Sequence, residues 1–127
     1  MSERELIAAR INELHAARVK GDLAGMCRTF AEDSTFQIAG ASDGKPIAIN
    51  AKSLREFKPW LAMMIRAFRL SDYELRALIV EGPRAAAHWR VHIHSKITGT
   101  STPTELVDLV EVRGDRIVSY TEFFRPL

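Results

Sequence analysis

Apolar residues recur every three or four positions in the first half of the chain and every second position in the second half. Ile7, Ile11, Leu14 and Ala17 fall at helical spacing. Ser2 and Glu5 in front of them fit a capping box, in which each side chain satisfies an orphan amide of the helix that follows. Gly21 predicts the stop, because it accepts a left-handed conformation cheaply. Asp22 predicts the cap of a second, short helix with Leu23, Met26, Cys27 and Phe30 on one face. Residues 34–39 alternate and read as a strand, and 40–46 read as a loop by their Gly, Ser, Asp and Pro content. Ser53 and Glu56 make a second capping box, ahead of a stripe of Leu54, Phe57, Leu61, Met64, Ile65 and Phe68. Pro59 interrupts that stripe. An interior proline loses a hydrogen bond and clashes, at about 3 kcal/mol, so the helix either kinks there or starts its regular part near Lys58.

From Leu70 onward the period is two. Strands are expected near 71–81, 85–97, 104–112 and 116–124, with turns at Gly82-Pro83, 99–103 and Gly114-Asp115. Short connections between long strands predict an antiparallel meander. Helices first and strands afterwards predict an α+β fold and argue against a parallel sheet.

Strand 85–97 splits cleanly. Ala85, Ala87, Trp89, Val91, Ile93 and Ser95 share one face; Ala86, His88, Arg90, His92, His94 and Lys96 share the other. The first is the buried face. A two-residue turn at Thr100-Ser101 sets Lys96 against Glu105, Arg90 against Glu111 and Ile93 against Asp108. Two opposite-charge cross-strand pairs support that register. It places Asp108 on the apolar face in mid-strand. A buried carboxylate is costly, so Asp108 should be protonated, paired or facing a polar cavity. The last strand stays open. A two-residue turn points Ile117, Ser119, Thr121 and Phe123 inward; a three-residue loop points Val118, Tyr120, Glu122 and Phe124 inward.

Composition adds exclusions. The length suits one domain spanning 1–127, with ordinary globular usage. The formal net charge is only +2 and the basic residues are scattered among the acids, so nucleic acid is not an expected partner. No apolar run approaches a membrane span, and the first residues do not read as a signal peptide, so a cytoplasmic protein without membrane contact is expected. The single Cys27 cannot form an internal disulfide or a cysteine zinc cage.

Lys20-Gly21-Asp22-Leu23 followed by Phe30-Ala31-Glu32-Asp33-Ser34-Thr35-Phe36 resembles the front end of the nuclear transport factor 2-like superfamily. The back end is similar to its SnoaL-like and ketosteroid-isomerase-related members. It runs His88-Trp89-Arg90-Val91, Thr98-Gly99, Glu105-Leu106-Val107-Asp108-Leu109-Val110-Glu111-Val112, Asp115-Arg116-Ile117-Val118 and Glu122-Phe123-Phe124. The resemblance implies a cone, a curved antiparallel sheet around helices with a pocket at the open end. It also implies frequent dimers and functions from isomerases and cyclases to non-catalytic binders. In ketosteroid isomerase a protonated Asp and a Tyr form an oxyanion hole beside an Asp base. The oxyanion-hole Asp matches Asp108. The Tyr position matches Leu14 and the base falls near Ile38, so the steroid reaction itself is not implied. Many relatives carry an acid after the final Phe-Phe, where this chain has Arg125. The resemblance favours Tyr120, Glu122 and Phe124 facing the pocket.

Asp108 is therefore the candidate acid or proton shuttle, because a carboxyl in an apolar pocket has a raised pKa. The plainer alternative is a buried Asp that only accepts hydrogen bonds. Glu122 would be a second carboxylate and Tyr120 a donor beside it. His15, at the margin of the first helical stripe, is a candidate at the pocket mouth, or else a partly exposed surface residue. Phe57, Trp60, Leu61, Met64, Trp89, Val91 and Ile93 are candidates to line an apolar ligand, with Leu14, Ile38 and Phe124. Met64 and Trp89 also read as simple core. His88, His92 and His94 share the outward face with Arg90 and Lys96, which repel a cation, so no metal is expected there, and no cofactor. That face suits a homodimer contact, with Val107 and Leu109 beside it. The reading is a small-molecule binder, either an acid–base isomerase or cyclase or a non-catalytic binding or dimerisation module.

Overall fold

The computed structural model describes residues 2–42 and 44–127; Asp43, within the predicted 40–46 loop, lies outside them, as does Met1. The chain orders as α1 (Glu3–Lys20), α2 (Leu23–Arg28), β1 (Phe30–Ser42), β2 (Lys45–Ala51), α3 (Leu54–Ala67), β3 (Phe68–Glu81), β4 (Arg84–Ser95), β5 (Ser101–Arg113) and β6 (Arg116–Pro126). The N-cap halves act as the sequence indicates, but the return halves differ, since Glu5 accepts from the Ser2 hydroxyl and Glu56 from the Lys52 amide. Ser2 accepts from the Glu5 amide, Asp22 from Gly25 and Ser53 from Glu56, and Gly21 ends α1 at φ 76°. Helix α3 runs from Leu54 through Pro59, so it does not begin near Lys58. The carbonyl left without the proline N–H belongs to Arg55, an exposed residue where water can take it.

Six strands form one sheet in the order β2-β1-β6-β5-β4-β3. Strands β3 to β6 are the expected antiparallel meander, but β1 lies parallel to β6, so the sheet is mixed. Strand β2 is an addition to the sequence reading. It is an edge strand, mostly exposed, and Pro46 is tolerated there because an edge amide needs no partner. Helix α1 packs on β3 and β4, and α3 on β1, inside the curve of the sheet. The main core joins Ile7, Ile11 and Leu14 of α1 to Phe36, Phe57, Leu61 and Ile117. A second cluster gathers Trp89, Val91 and Leu106, with Leu70, Tyr73, Ile93 and Phe124 against it.

The hairpin register differs from the expected one. Arg90 faces Glu105, Arg84 faces Glu111, and Ala87, not Ile93, faces Asp108. The connection is longer than two residues: the chain leaves β4 at Ser95 and Thr100 closes back onto it through a 2.9 Å backbone bond. The displacement is an even number of residues. Side chains alternate with period two, so Asp108 keeps its inward face.

Bulges decide two other faces. The β5–β6 connection is the two-residue Gly114-Asp115 turn, which brings Ile117 inward. A bulge at Val118 then reverses the alternation, and Tyr120 and Glu122 are buried with Phe124 half-buried behind them. The ring of Phe124 crosses the backbone of Gly40, where an added Cβ would collide with it. In β3 the pairing slips between Ser71 and Glu74, and Asp72 takes a left-handed φ of 54°. That bulge turns Tyr73 toward the helices, and His92 holds Asp72 at 2.7 Å from outside. Valine in place of Asp72 is expected to cost about 1–3 kcal/mol, since a β-branched residue resists this conformation. Glycine there should cost less than valine, and urea unfolding of the two variants measures the difference.

Candidate functional site

Four elements bring polar side chains into the second cluster. His15 comes from α1, Tyr73 from the β3 bulge, Trp89 from β4 and Asp108 from β5. Asp108 is 0% exposed and His15 1%. The imidazole bridges them in line: Nε2 lies 2.7 Å from Asp108 Oδ2 and Nδ1 lies 2.7 Å from the Tyr73 hydroxyl. Trp89 Nε1–H donates to the same Asp108 Oδ2 at 3.0 Å. Oδ1 of Asp108 is buried with no partner among the described residues. The aromatic rings pack around the line, His15 on Trp89 at 4.5 Å between centroids and Tyr73 against both.

Burial holds the Asp108 carboxyl above the ordinary carboxylate range, and the Glu122 charge adds to it, against the pull of the His15 hydrogen bond. Burial and the Asp108 charge push the Tyr73 phenol up, so it stays neutral. Two proton arrangements satisfy the line. With Asp108 ionised, the imidazole donates to it and accepts from Tyr73. With Asp108 protonated, the carboxyl donates to Nε2 and Nδ1–H donates to the phenol oxygen. Passing from the first to the second moves the Nε2 proton to Asp108 and the phenol proton to Nδ1, and the phenol takes up one proton from outside to stay neutral.

One turn further along α1, Arg18 pairs with Glu122 through both guanidinium NH2 groups, the second at 3.4 Å. The Tyr120 hydroxyl donates to the same carboxylate at 2.9 Å. The guanidinium lies 5.3 Å from the Trp89 ring centroid, a cation–π contact that ties this pair to the first group. Burial works against the Arg18 charge, but Glu122 beside it more than compensates. Burial, with the Asp108 and Glu122 charges, pushes the Tyr120 phenol far up, so it is a donor only.

Arg18 also lines a small cavity of about 30 Å³ between the helices and the sheet. Met26, Leu61, Met64 and Ile65 close it from the helical side, and Phe68, Leu70 and Ile93 from β3 and β4. That space holds one or two waters, so a larger ligand enters only by moving side chains.

The expected site residues therefore separate. Leu61, Met64 and Ile93 line the cavity. Leu14, Ile38 and Phe57 are packed in the main core, and Trp89, Val91 and Phe124 belong to the second cluster. Trp60 is 44% exposed on the outer face of α3. His15 is not a surface residue but the centre of the polar line. Arg18 and Tyr73 are additions. Arg18 had a signal: it follows Ile11, Leu14 and His15 on the same helical face. Tyr73 had none, because only the bulge turns it inward. On the outer face His88 and Arg90 meet Glu105, whose carboxyl is held below its ordinary range by the His88 hydrogen bond first, then by Arg90 and the nearby Arg125.

No helix among the described residues is long and apolar enough to cross a membrane. No curated protein matches the chain by sequence. Solved structures share its fold. A Bacillus subtilis protein provisionally called an isomerase superposes at a TM-score of 0.85 and 18% identity, covering 98% of this chain and 90% of that one. An NTF2-like protein from Burkholderia xenovorans LB400 matches at 0.77 and 20% identity, covering 98% and 92%. A protein of ketosteroid isomerase-like fold from Catenulispora acidiphila DSM 44928, solved with trimethylamine, matches at 0.70 and 16%, covering 89% and 82%. These likenesses show the NTF2-like cone. With the SnoaL-like domain matching residues 11–120, nearly the whole of the chain, this protein belongs to the SnoaL-like family.

Proposed function

We propose that the chain is an acid–base enzyme of the isomerase or cyclase type, acting on a small, largely apolar carbonyl compound. The observation that carries this reading is the buried Asp108 carboxyl, with one oxygen bound by His15 and Trp89 and the other unpartnered. A carboxyl held above its usual range keeps its proton to higher pH than an ordinary Asp, and the His15–Tyr73 line offers that proton a path toward the half-buried phenol. In this reading Asp108 is the acid and proton shuttle. His15 and Tyr73 relay, and Tyr120 and Glu122 hold Arg18 beside the substrate. The chemistry asks only for proton transfer and needs no cofactor. The single free thiol fits a cytoplasmic setting.

The test is exchange of the α-hydrogens of a cyclic ketone for solvent deuterium, followed by NMR. The step breaks a C–H bond next to the carbonyl and forms a C–D bond from solvent. The wild-type protein should accelerate it, and Asp108→Asn should not. Exchange at the wild-type rate in that variant would remove Asp108 from the chemistry.

The second reading, a non-catalytic binding or dimerisation module, draws on the nearly filled interior and on Leu14 and Ile38. It predicts saturable binding with no exchange at all. Either reading accommodates a homodimer through the convex face. There Ile79, Ala86 and Leu109 lie side by side across three strands, and Val107 and Phe123 make the adjacent row. Leu109 and Phe123 are each 47% exposed. Leu109→Arg is expected to convert a dimer to a monomer in sedimentation equilibrium; a wild-type monomer would end the proposal.

A further inference from the structure

Arg18 is the one polar side chain among those lining the cavity, and the others are hydrocarbon or thioether. A guanidinium has five N–H donors. Glu122 takes two of Arg18's through its two oxygens, and no other hydrogen bond from this guanidinium is found among the described residues. The group cannot swing away freely, because Glu122 grips it, Tyr120 holds Glu122, and the Trp89 face lies against it. The result is a fixed, partly unspent donor facing an apolar space.

Charge decides what it can accept. Glu122 already neutralises Arg18. A ligand carboxylate would bring a further anion into a low-dielectric space where its attraction to Arg18 is largely cancelled. A neutral carbonyl oxygen meets no such penalty and takes the free N–H groups.

We propose that Arg18 is the ligand-anchoring residue and that the site selects compact, neutral, hydrocarbon-bodied carbonyl compounds over the corresponding acids. This rests on the acid–base reading of the neighbouring His15–Asp108 group, which Trp89 joins to Arg18, and names its substrate class. Size follows from the cavity. Its about 30 Å³ fits only the oxygen end of such a molecule. Half-buried Met64 and Ile65, beside Phe68 at the rim, must move to admit the ring. A flexible methionine there makes that motion cheap.

The experiment compares cyclopentanone, its hydrocarbon counterpart methylenecyclopentane and cyclopentanecarboxylate. Binding is read by NMR at the Arg18 side-chain Nε–H and at the Met26 and Met64 methyls. Cyclopentanone should shift all three saturably and bind about tenfold more tightly than either comparison ligand. Arg18→Lys keeps the charge but loses the planar fork, and should remove most of that advantage. The variant R18M/E122L, which discards both charges together, should bind cyclopentanone and methylenecyclopentane equally. Tighter binding of the carboxylate, or an unchanged preference for the ketone in either variant, overturns the assignment, as does cyclopentanone leaving the Met64 methyl unmoved. The readout is binding, so failure here is distinct from failure of the acid–base reading, which deuterium exchange reports.

Discussion

Asp108→Asn is expected to slow α-hydrogen exchange by about 10²–10⁴-fold, the range that a positioned acid or base contributes. The same variant carries a stability signature that reports whether the native carboxyl holds its proton above the ordinary range. The native carboxyl is raised above its ordinary 3.8, chiefly by burial. Above that ordinary value the unfolded chain has released a proton that the folded chain still holds. The stabilisation linked to this proton is complete below 3.8 and declines as pH rises toward the native pKa. Asparagine cannot titrate. Its carbonyl replaces Oδ2 as acceptor for Trp89, while its amide meets the place where Oδ1 has no partner, a penalty that is the same at every pH. The melting temperature of the variant, relative to wild type, should therefore improve as pH rises through that window. A difference that stays flat from pH 3 to pH 8 would mean that the native carboxyl titrates normally, and the proton-shuttle role would go with it.

Arg18→Met is expected to be the more damaging change to the fold. It leaves the Glu122 carboxylate buried with only the Tyr120 hydroxyl for company. Breaking a buried pair from one side typically costs about 3–5 kcal/mol, because the surviving charge is stranded. Both partners are well buried here, with side-chain exposures of 12% and 3%, so solvent screens little of that cost. R18M/E122L removes both charges and should recover most of the loss, since a buried ion pair and a well-packed apolar pair are often nearly equivalent. Denaturant unfolding of the two singles and the double completes the cycle. A single-variant loss below about 1 kcal/mol would show that the pair behaves like a solvated surface bridge.

These expectations rest on residues whose legibility in the sequence was uneven. The inward face of Asp108 was readable although the hairpin register was not. Any even displacement preserves the face, and the alternation of β4 and β5 is strong. The charge pairs were a weaker guide. Arg84, Arg90 and Lys96 are spaced by even numbers, as are Glu105 and Glu111, so several registers satisfy them equally. The long connection through Thr100 chose among them. The last strand shows the opposite case. Both proposed turn lengths carried half of the answer, since the two-residue turn buries Ile117 and a bulge then buries Tyr120 and Glu122.

By itself the sequence determined the helix caps at Ser2, Gly21, Asp22 and Ser53, the α+β class, the meander and the side of the sheet on which Asp108 lies. All of these follow from caps and periodicities that act over a few neighbouring residues. Tertiary structure alone decided the rest. It put β1 parallel to β6 with β2 outside it. It closed His15, ninety-three positions away in the chain, onto Asp108. It spent Glu122 on Arg18 and aimed Tyr73 through a bulge held open by Asp72 and His92. The reason is physical. A bulge inserts one residue and reverses every face beyond it. A buried polar group takes whichever distant partner offsets its desolvation, and neither event leaves a periodic trace along the chain.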